Sequence, residues 1–182
     1  MKPFIVNRLF TFSGEKSSKS YKIISLIFGV LIFLCVIPGI FILLGLHSKD
    51  YVLVTLAKIF EIIELTVSIL GMTIGLFFLV WAALTLWKIG KEISAPNAPP
   101  QYLVITGPYK LCRNPIELGA VLYYLGIGTF IGGIIVGIIS FLLGFTFGSI
   151  YHKFFEEKEL KKRFGEEYKQ YKDKTPFIFP RI

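Results

Sequence analysis

The sequence predicts an all-α integral membrane protein with about four transmembrane helices, the last two a helical hairpin, and a cytoplasmic C-terminal helix. Of its 182 residues, 54% are hydrophobic and 16% aromatic, and the mean hydropathy is +0.67. Soluble domains are usually about 45–50% apolar, with the apolar residues dispersed by amphipathic patterning. Here the apolar residues fall in long blocks, each comparable to the ~20 residues that a spanning helix needs. At this length we expect a single membrane domain, residues 1–182.

The N-terminal segment, residues 1–22, is basic, with five Lys or Arg and one acid. It fits either a partly disordered tail or an interfacial segment lying on the lipid headgroups. The first membrane helix is predicted at 23–46, with a kink near Pro38. The net charge of +8 comes from basic residues that flank apolar spans. We therefore expect membrane lipids as partners and no nucleic acid.

The second membrane helix is predicted at 60–88, and two acids, Glu61 and Glu64, stand one turn apart at its start. Acids inside a membrane are costly and usually functional. Lys58, however, offers a helical partner at the expected membrane edge, so interfacial carboxylates are favoured over a buried polar pair. The proline-rich run SAPNAPP, residues 94–100, cannot be helical and predicts a loop.

The last two membrane helices are predicted from one apolar stretch, residues 118–151, with Gly132 and Gly133 near its middle. A glycine pair is where a turn is most easily made. A turn there gives membrane helices at 116–131 and 134–152, ~24 and ~28 Å long at ~1.5 Å per residue. Both ends of this hairpin then lie on the same side of the membrane.

The distribution of basic residues predicts which side that is. Five Lys or Arg lie in the N-terminal segment, four in the loop 88–115 and nine in the tail from residue 152, whereas the turn at 132–133 has none. By the positive-inside rule, both termini and the loop are cytoplasmic.

The hairpin would also bring polar residues together at this face. Arg113, Asn114 and Glu117 precede or begin its first arm, and His152 and Glu156 end its second arm. The predicted functional site is this convergence of polar groups at the cytoplasmic membrane surface.

Two sequence motifs flank the apolar hairpin: the run GPYKLCRNPIELG at 107–119 and the run EEKELKKRFGEEYKQYKDKTPFIFP at 156–180. The first resembles a GPY-x-x-x-R-H-P-x-Y-x-G signature, and the second a closing E-E-x-x-L-x-x-x-F-G-x-x-Y-x-x-Y with a late Pro. Together they resemble the isoprenylcysteine carboxyl methyltransferase and phospholipid methyltransferase group. The two motif blocks, 99–117 and 152–180, are also separated as in that group, which makes the match more specific than either motif alone.

The resemblance implies an S-adenosyl-L-methionine-dependent enzyme, without a metal, that methylates a lipophilic acceptor at the cytoplasmic face. It implies that the cofactor touches the segment before the GPY, its Tyr, the run after the Arg and the first acid of the closing pair. Arg113 adds the guanidinium that a carboxylate prefers. The cofactor-binding residues implied for this chain are Gln101, Tyr102, Leu103, Val104, Tyr109, Arg113, Asn114, Pro115, Ile116, Glu117 and Glu156. The resemblance further implies that the last residues close over the site as a short lid.

Three positions depart from the group's pattern: Asn114 replaces His, Glu117 replaces Tyr, and His152 replaces an Arg four residues before the first acid. His152 is the candidate catalytic residue, because an imidazole one turn from Glu156 can act as a general base or, protonated, hold a carboxylate. The alternative is a membrane-edge histidine without a role. The change from Arg to His disfavours a prenylcysteine carboxylate as acceptor.

The function classes left open are three. The first is a methyltransferase resembling the isoprenylcysteine enzymes, and the second acts on a phospholipid or another small molecule with the same fold. The third is a non-catalytic membrane protein that binds lipids or a partner. The chain has no G-x-G-x-x-G between a strand and a helix, so a Rossmann-type cofactor site is excluded. A cofactor would be held by membrane-helix ends and loops.

Overall fold

The computed structural model describes residues 19–49, 61–90 and 102–179. Several sequence-based predictions lie outside the described residues: most of the basic N-terminal segment, the connector around Lys58, the SAPNAPP run, Gln101 and Pro180. The described residues form helices, turns and loops with no strand among them, which confirms the predicted all-α class.

The first membrane helix has two α-helical parts, α1 (Lys19–Leu31) and α2 (Ile37–Lys49), joined by a π-helical turn at Ile32–Val36. Pro38 is buried just beyond that turn. A proline has no N–H to donate to the preceding turn of a helix, and a wider turn accommodates the missing bond. The irregularity expected near Pro38 therefore takes the form of a π-helical turn.

Three further membrane helices follow: α3 (Glu61–Gly90), α4 (Pro115–Gly132) and α5 (Ile134–Tyr151). Among the described residues, four helices are long and apolar enough to cross a membrane, as predicted.

Helices α3 and α4 pack closely because glycines from each face the backbone of the other. A Cβ atom added to Gly119, the last glycine of the GPY motif, would lie 2.8 Å from the carbonyl oxygen of Gly75. A Cβ added to Gly71 would lie 2.9 Å from the Cα of Gly126. Only glycine permits this approach of two membrane helices. The motif's final glycine therefore holds the start of α4 against α3.

The turn of the hairpin falls at Gly133, which has φ +87°. The N–H of Ile134, at the start of α5, donates to Oε1 of Glu64 over 2.8 Å. The first N–H groups of a helix have no intrahelical partner, so Glu64 caps α5 from the neighbouring helix. The sequence favours an interfacial carboxylate for Glu64. In the structure its partner is the backbone N–H of Ile134.

After α5 the chain makes a second π-helical turn, His152–Glu156, and continues as α6 (Glu157–Lys174). Helix α6 is broken at Gly165, which has φ +50°. The residues after α6 then turn back and run along the loop that precedes α4.

Contacts between helix ends show that the four spans alternate in direction. The end of α2 meets the start of α5, where Gly45 faces Val136. The start of α3 meets the hairpin turn through Glu64, and its end meets the GPY motif, where Thr85 faces Gly107. The start of α1 and the whole of α6 therefore lie on the side of the GPY motif.

Labelling of single cysteines tests this arrangement. In a chain with Cys35 and Cys112 replaced by alanine, a cysteine at Ser17 and one at Lys174 are expected to react with an impermeant maleimide from the same side. We propose that this side is the cytoplasm, because the basic residues concentrate there. Labelling from opposite sides would contradict the four-span order and separate the two motif blocks.

Candidate functional site

The GPY motif forms a 3₁₀ turn, Gly107–Lys110, whose tyrosine points into the protein. Tyr109 is buried in a cluster with Ala82 and Val104, and its carbonyl oxygen accepts a 2.6 Å hydrogen bond from the hydroxyl of Tyr171. Burial raises the pKa of Tyr109 well above its usual value, and the charge of Glu156 adds to that effect. The Tyr109 hydroxyl is therefore a neutral donor. It is buried without a hydrogen-bond partner among the described residues.

The loop after the turn carries a cysteine that packs into the protein core. Cys112 is fully buried against Leu118 and Ile178, and burial raises the pKa of its thiol to about 11. A neutral, enclosed thiol is a poor nucleophile, so Cys112 acts in packing.

Arg113 points toward the C-terminal helix and forms a charge cluster with it. Its Nη1 donates to Oε1 of Glu157 over 2.6 Å, and Lys172 donates to Oε2 of the same carboxylate over 2.5 Å. The Arg113 guanidinium also lies 5.5 Å from the centre of the Phe177 ring. Its Nε is buried and has no partner among the described residues. The Glu157 carboxylate is therefore shared by two cations, the enclosed Arg113 and the half-exposed Lys172, and the Nε of Arg113 remains available as a donor.

Asn114 fixes the end of the chain to the GPY loop. Its side-chain amide donates to the carbonyl of Phe177 over 2.9 Å. The backbone N–H groups of Arg113 and Asn114 donate to the carbonyls of Pro176 (2.9 Å) and Phe177 (3.2 Å). Ile178 is only 2% exposed beneath this contact. The last described residues thus lie across the motif loop.

A second polar cluster lies at the junction of α4, α5 and the π-helical turn. Nε2 of His152 is 3.4 Å from Oε2 of Glu117, and Nδ1 of His152 contacts Oε2 of Glu156. Glu117 is almost fully enclosed, whereas the side chain of Glu156 is 40% exposed. Oε1 of Glu117 has no partner among the described residues. The three groups form a chain from the buried start of α4 to the protein surface.

Gly148 on α5 makes room for the Glu117 carboxylate, because a Cβ atom added there would overlap it. Gly148→Ala is therefore expected to destabilise the protein by ~1–3 kcal/mol, the usual cost of an overpacked site. Thermal unfolding of the purified protein in detergent measures this cost. The matched control is Gly39→Ala, also in a membrane helix, where an added Cβ meets nothing within 4 Å. Equal melting temperatures for the two variants would contradict the packing of Glu117 against Gly148.

An apolar cavity of ≈ 260 Å³ opens beside this cluster. Side chains from three membrane helices line it: five aromatic residues, Phe33, Phe41, Tyr124, Phe147 and Tyr151, and two isoleucines, Ile37 and Ile116. Glu117 and His152 are its acidic and basic lining residues. The hydroxyl of Tyr124 donates to the carbonyl of Phe33 over 3.0 Å and so ties α4 to the first helix. The cavity is therefore largely apolar, and the Glu117–His152 pair forms its polar end.

The structure places the described residues of the predicted site around the start of α4, the end of α5 and the approach to the motif. Arg113, Asn114, Glu117, His152 and Glu156 all lie at the ends of α4 and α5. Ile116 lines the cavity, Pro115 begins α4, and Val104 packs beside Tyr109. Tyr102 is half-exposed and Leu103 half-buried on the approach to the motif.

Two features were missed from the sequence. Glu157, the second acid of the closing pair, is the partner of Arg113. Because Glu156 and Glu157 are adjacent, the sequence does not indicate which of the two binds the arginine. The aromatic residues of the first helix, Phe33 and Phe41, line the cavity, and in the sequence they are indistinguishable from lipid-facing side chains. Within the described ranges, no group of three or more His, Cys, Asp or Glu residues is placed to hold a metal ion.

Comparison with known proteins gives a family and two relatives. A model of the phospholipid methyltransferase family matches residues 63–167. The nickel-cobalt-cadmium resistance protein NccN of Alcaligenes xylosoxydans xylosoxydans is 30% identical over 119 residues. The cobalt-zinc-cadmium resistance protein CzcN of Cupriavidus metallidurans is 29% identical over 120 residues. Each match covers 65% of this chain and 50% of the relative, so the chain spans about half the length of these curated relatives. No solved structure matches significantly.

Proposed function

Because this chain belongs to the phospholipid methyltransferase family, whose model covers more than half of it, we propose that it transfers a methyl group from S-adenosyl-L-methionine to a lipophilic acceptor. Membership supports methyltransferase activity in a multi-pass membrane protein, and the cofactor and acceptor are our proposal. The observation that carries the proposal is the position of Glu117. Its carboxylate lies between an apolar cavity and the polar cluster of the two motif blocks.

The residues around the GPY loop suit this cofactor chemically. Buried polar atoms without partners are the atoms that a ligand would satisfy, and Tyr109 Oη and Arg113 Nε are two of them. A guanidinium binds a carboxylate, and the partly exposed Glu156 is suited to an ammonium group or ribose hydroxyls. Asn114, with Pro115 and Ile116, would contribute the start of α4 to the cofactor site, and residues 102–104 the approach to the motif.

When bound, S-adenosyl-L-methionine supplies an electrophilic methyl group on a positively charged sulfur. The protein's contribution is then to align an acceptor in the cavity with that group, since alignment alone accounts for a large part of many rate enhancements. The aromatic rings of the cavity would hold the acceptor's apolar part. The acceptor enters sideways from the bilayer, because the cavity walls are the lipid-facing helices.

The acceptor's proton would leave through the chain of three residues beside the cavity. Both ring nitrogens of His152 already contact carboxylates, so Oε1 of Glu117 is the atom left to receive a hydrogen from the acceptor. His152 connects this carboxylate to Glu156, which reaches solvent. His152 thus acts within a relay and is not an isolated general base.

Equilibrium binding of radiolabelled S-adenosyl-L-methionine to the detergent-purified full chain tests the proposal. We expect saturable binding that S-adenosylhomocysteine, which keeps every polar group but lacks the methyl, competes for. An absence of binding by folded protein would contradict the proposal and favour a non-catalytic lipid-binding protein of the same fold.

A further inference from the structure

The buried carboxyl group of Glu117 bears on which acceptor the cavity can take. Glu117 is 4% exposed, lines the cavity, and has one oxygen, Oε1, with no hydrogen-bond partner among the described residues. An unpaired buried acceptor is costly, and a ligand that donates a hydrogen bond to it recovers that cost. A ligand in the cavity is therefore expected to place a hydrogen-bond donor at the polar end, next to Glu117.

The charges around the cavity restrict the ligand further. With both acids ionised, the Glu117–His152–Glu156 cluster is net negative whether or not the imidazole carries its second proton. Neighbouring cations are directed elsewhere: Arg113 binds Glu157, and Lys153 lies over the ring of Phe177 at 5.2 Å. A second negative charge placed beside Glu117 would be repelled with little screening, because this site is enclosed.

We propose that the cavity binds an amphiphile whose head group donates a hydrogen bond and carries no negative charge, an amine or a hydroxyl, and that Glu117 excludes carboxylate heads. This inference rests on the proposed function in one respect: if that function is correct, the bound head group is the methyl acceptor. The preference of the cavity for such a head group does not require the cofactor.

The cavity volume sets how much of the ligand is enclosed. At ≈ 260 Å³ it lies just below the ~300–1,000 Å³ of typical small-molecule sites. It therefore encloses the head and the first part of one chain, while the rest of the chain stays in the bilayer. A single unbranched alkyl chain is the simplest probe of that shape.

Photo-crosslinking with decyl probes tests the inference. The full chain in nanodiscs of uncharged lipid is exposed to a decylamine that carries a mid-chain diazirine, and mass spectrometry locates the label. We expect label on the peptides that hold Phe33 and Phe147. Unlabelled decylamine and decanol should compete at concentrations about tenfold or more below decanoate, because like charges side by side are strongly disfavoured.

Two variants separate the charge of Glu117 from its shape. Glu117→Gln keeps the volume and removes the charge, so decanoate should compete as well as decylamine. Glu166→Gln, whose parent acid pairs with Lys169 on the exposed surface of α6, should keep the wild-type preference.

The crosslinking experiment can fail independently of the test of S-adenosyl-L-methionine binding. Equal competition by decanoate and decylamine in the wild-type protein, or label outside the cavity peptides, would overturn the inference, and neither result depends on how the variants fold. A protein that shows the expected preference but binds no S-adenosyl-L-methionine would overturn the proposed function and leave this inference standing.

Discussion

Replacing His152 by alanine is expected to lower the rate of methyl transfer by ~10²–10⁴-fold, the usual contribution of a positioned acid or base. The expected physical cause is the loss of the link between Glu117 in the cavity and Glu156 at the surface, since both carboxylates contact the imidazole. S-adenosyl-L-methionine affinity should change much less than the rate, because Tyr109 and Arg113 lie outside this relay and Glu156 is the one proposed cofactor group that it shares. The measurement is cofactor affinity and transfer rate on one protein preparation.

The chain's other histidine provides the matched control. His47 is exposed near the end of α2, on the side of the hairpin turn, so His47→Ala should leave the rate unchanged. If His152→Ala transfers methyl groups as fast as the wild type, the relay is wrong while the cofactor site stands.

Replacing Arg113 by alanine is expected to weaken S-adenosyl-L-methionine binding by ~2–5 kcal/mol, because the carboxylate of the cofactor would lose its proposed counter-charge in an enclosed site. The side chain of Arg113 is only 11% exposed, so solvent does little to replace its charge. Glu156→Ala should lower affinity less, because its side chain is 40% exposed and solvent screens it. Titration with labelled cofactor measures both.

Two surface substitutions on α6 control for a change of net charge alone. Lys169 and Glu166 form an exposed pair 3.4 Å apart on α6. Lys169→Ala and Glu166→Ala should bind the cofactor as the wild type does. Wild-type affinity in both Arg113→Ala and Glu156→Ala would remove this face as the cofactor site.

The four spans could be predicted from the sequence because bilayer thickness fixes their length and the hydrophobic effect fixes their composition. The turn could be predicted because Gly133 occupies a left-handed conformation that other residues avoid. Sequence spacing also placed Glu117, His152 and Glu156 near one another, since a hairpin of two equal helices returns to its starting face.

The pairing of individual charges could not be predicted. The helical spacing used for the tail assumes a regular α-helix, but His152–Glu156 is a π-helical turn. One extra residue in a turn rotates everything after it by about 100°. As a result Glu157, not Glu156, faces Arg113. The cavity could not be predicted either, because aromatic side chains that face lipid and those that line a cavity occur in the same sequence pattern in a membrane helix.

Transfer of label from methyl-tritiated S-adenosyl-L-methionine into a lipid extract tests the central claim most directly. The full chain is reconstituted in liposomes of total membrane lipid, incubated with the labelled cofactor and extracted with organic solvent. We predict label in the organic phase that depends on the wild-type protein and falls sharply with His152→Ala. Label that remains entirely in the aqueous phase, with protein that is folded and binds the cofactor, would contradict methyl transfer to a lipophilic acceptor.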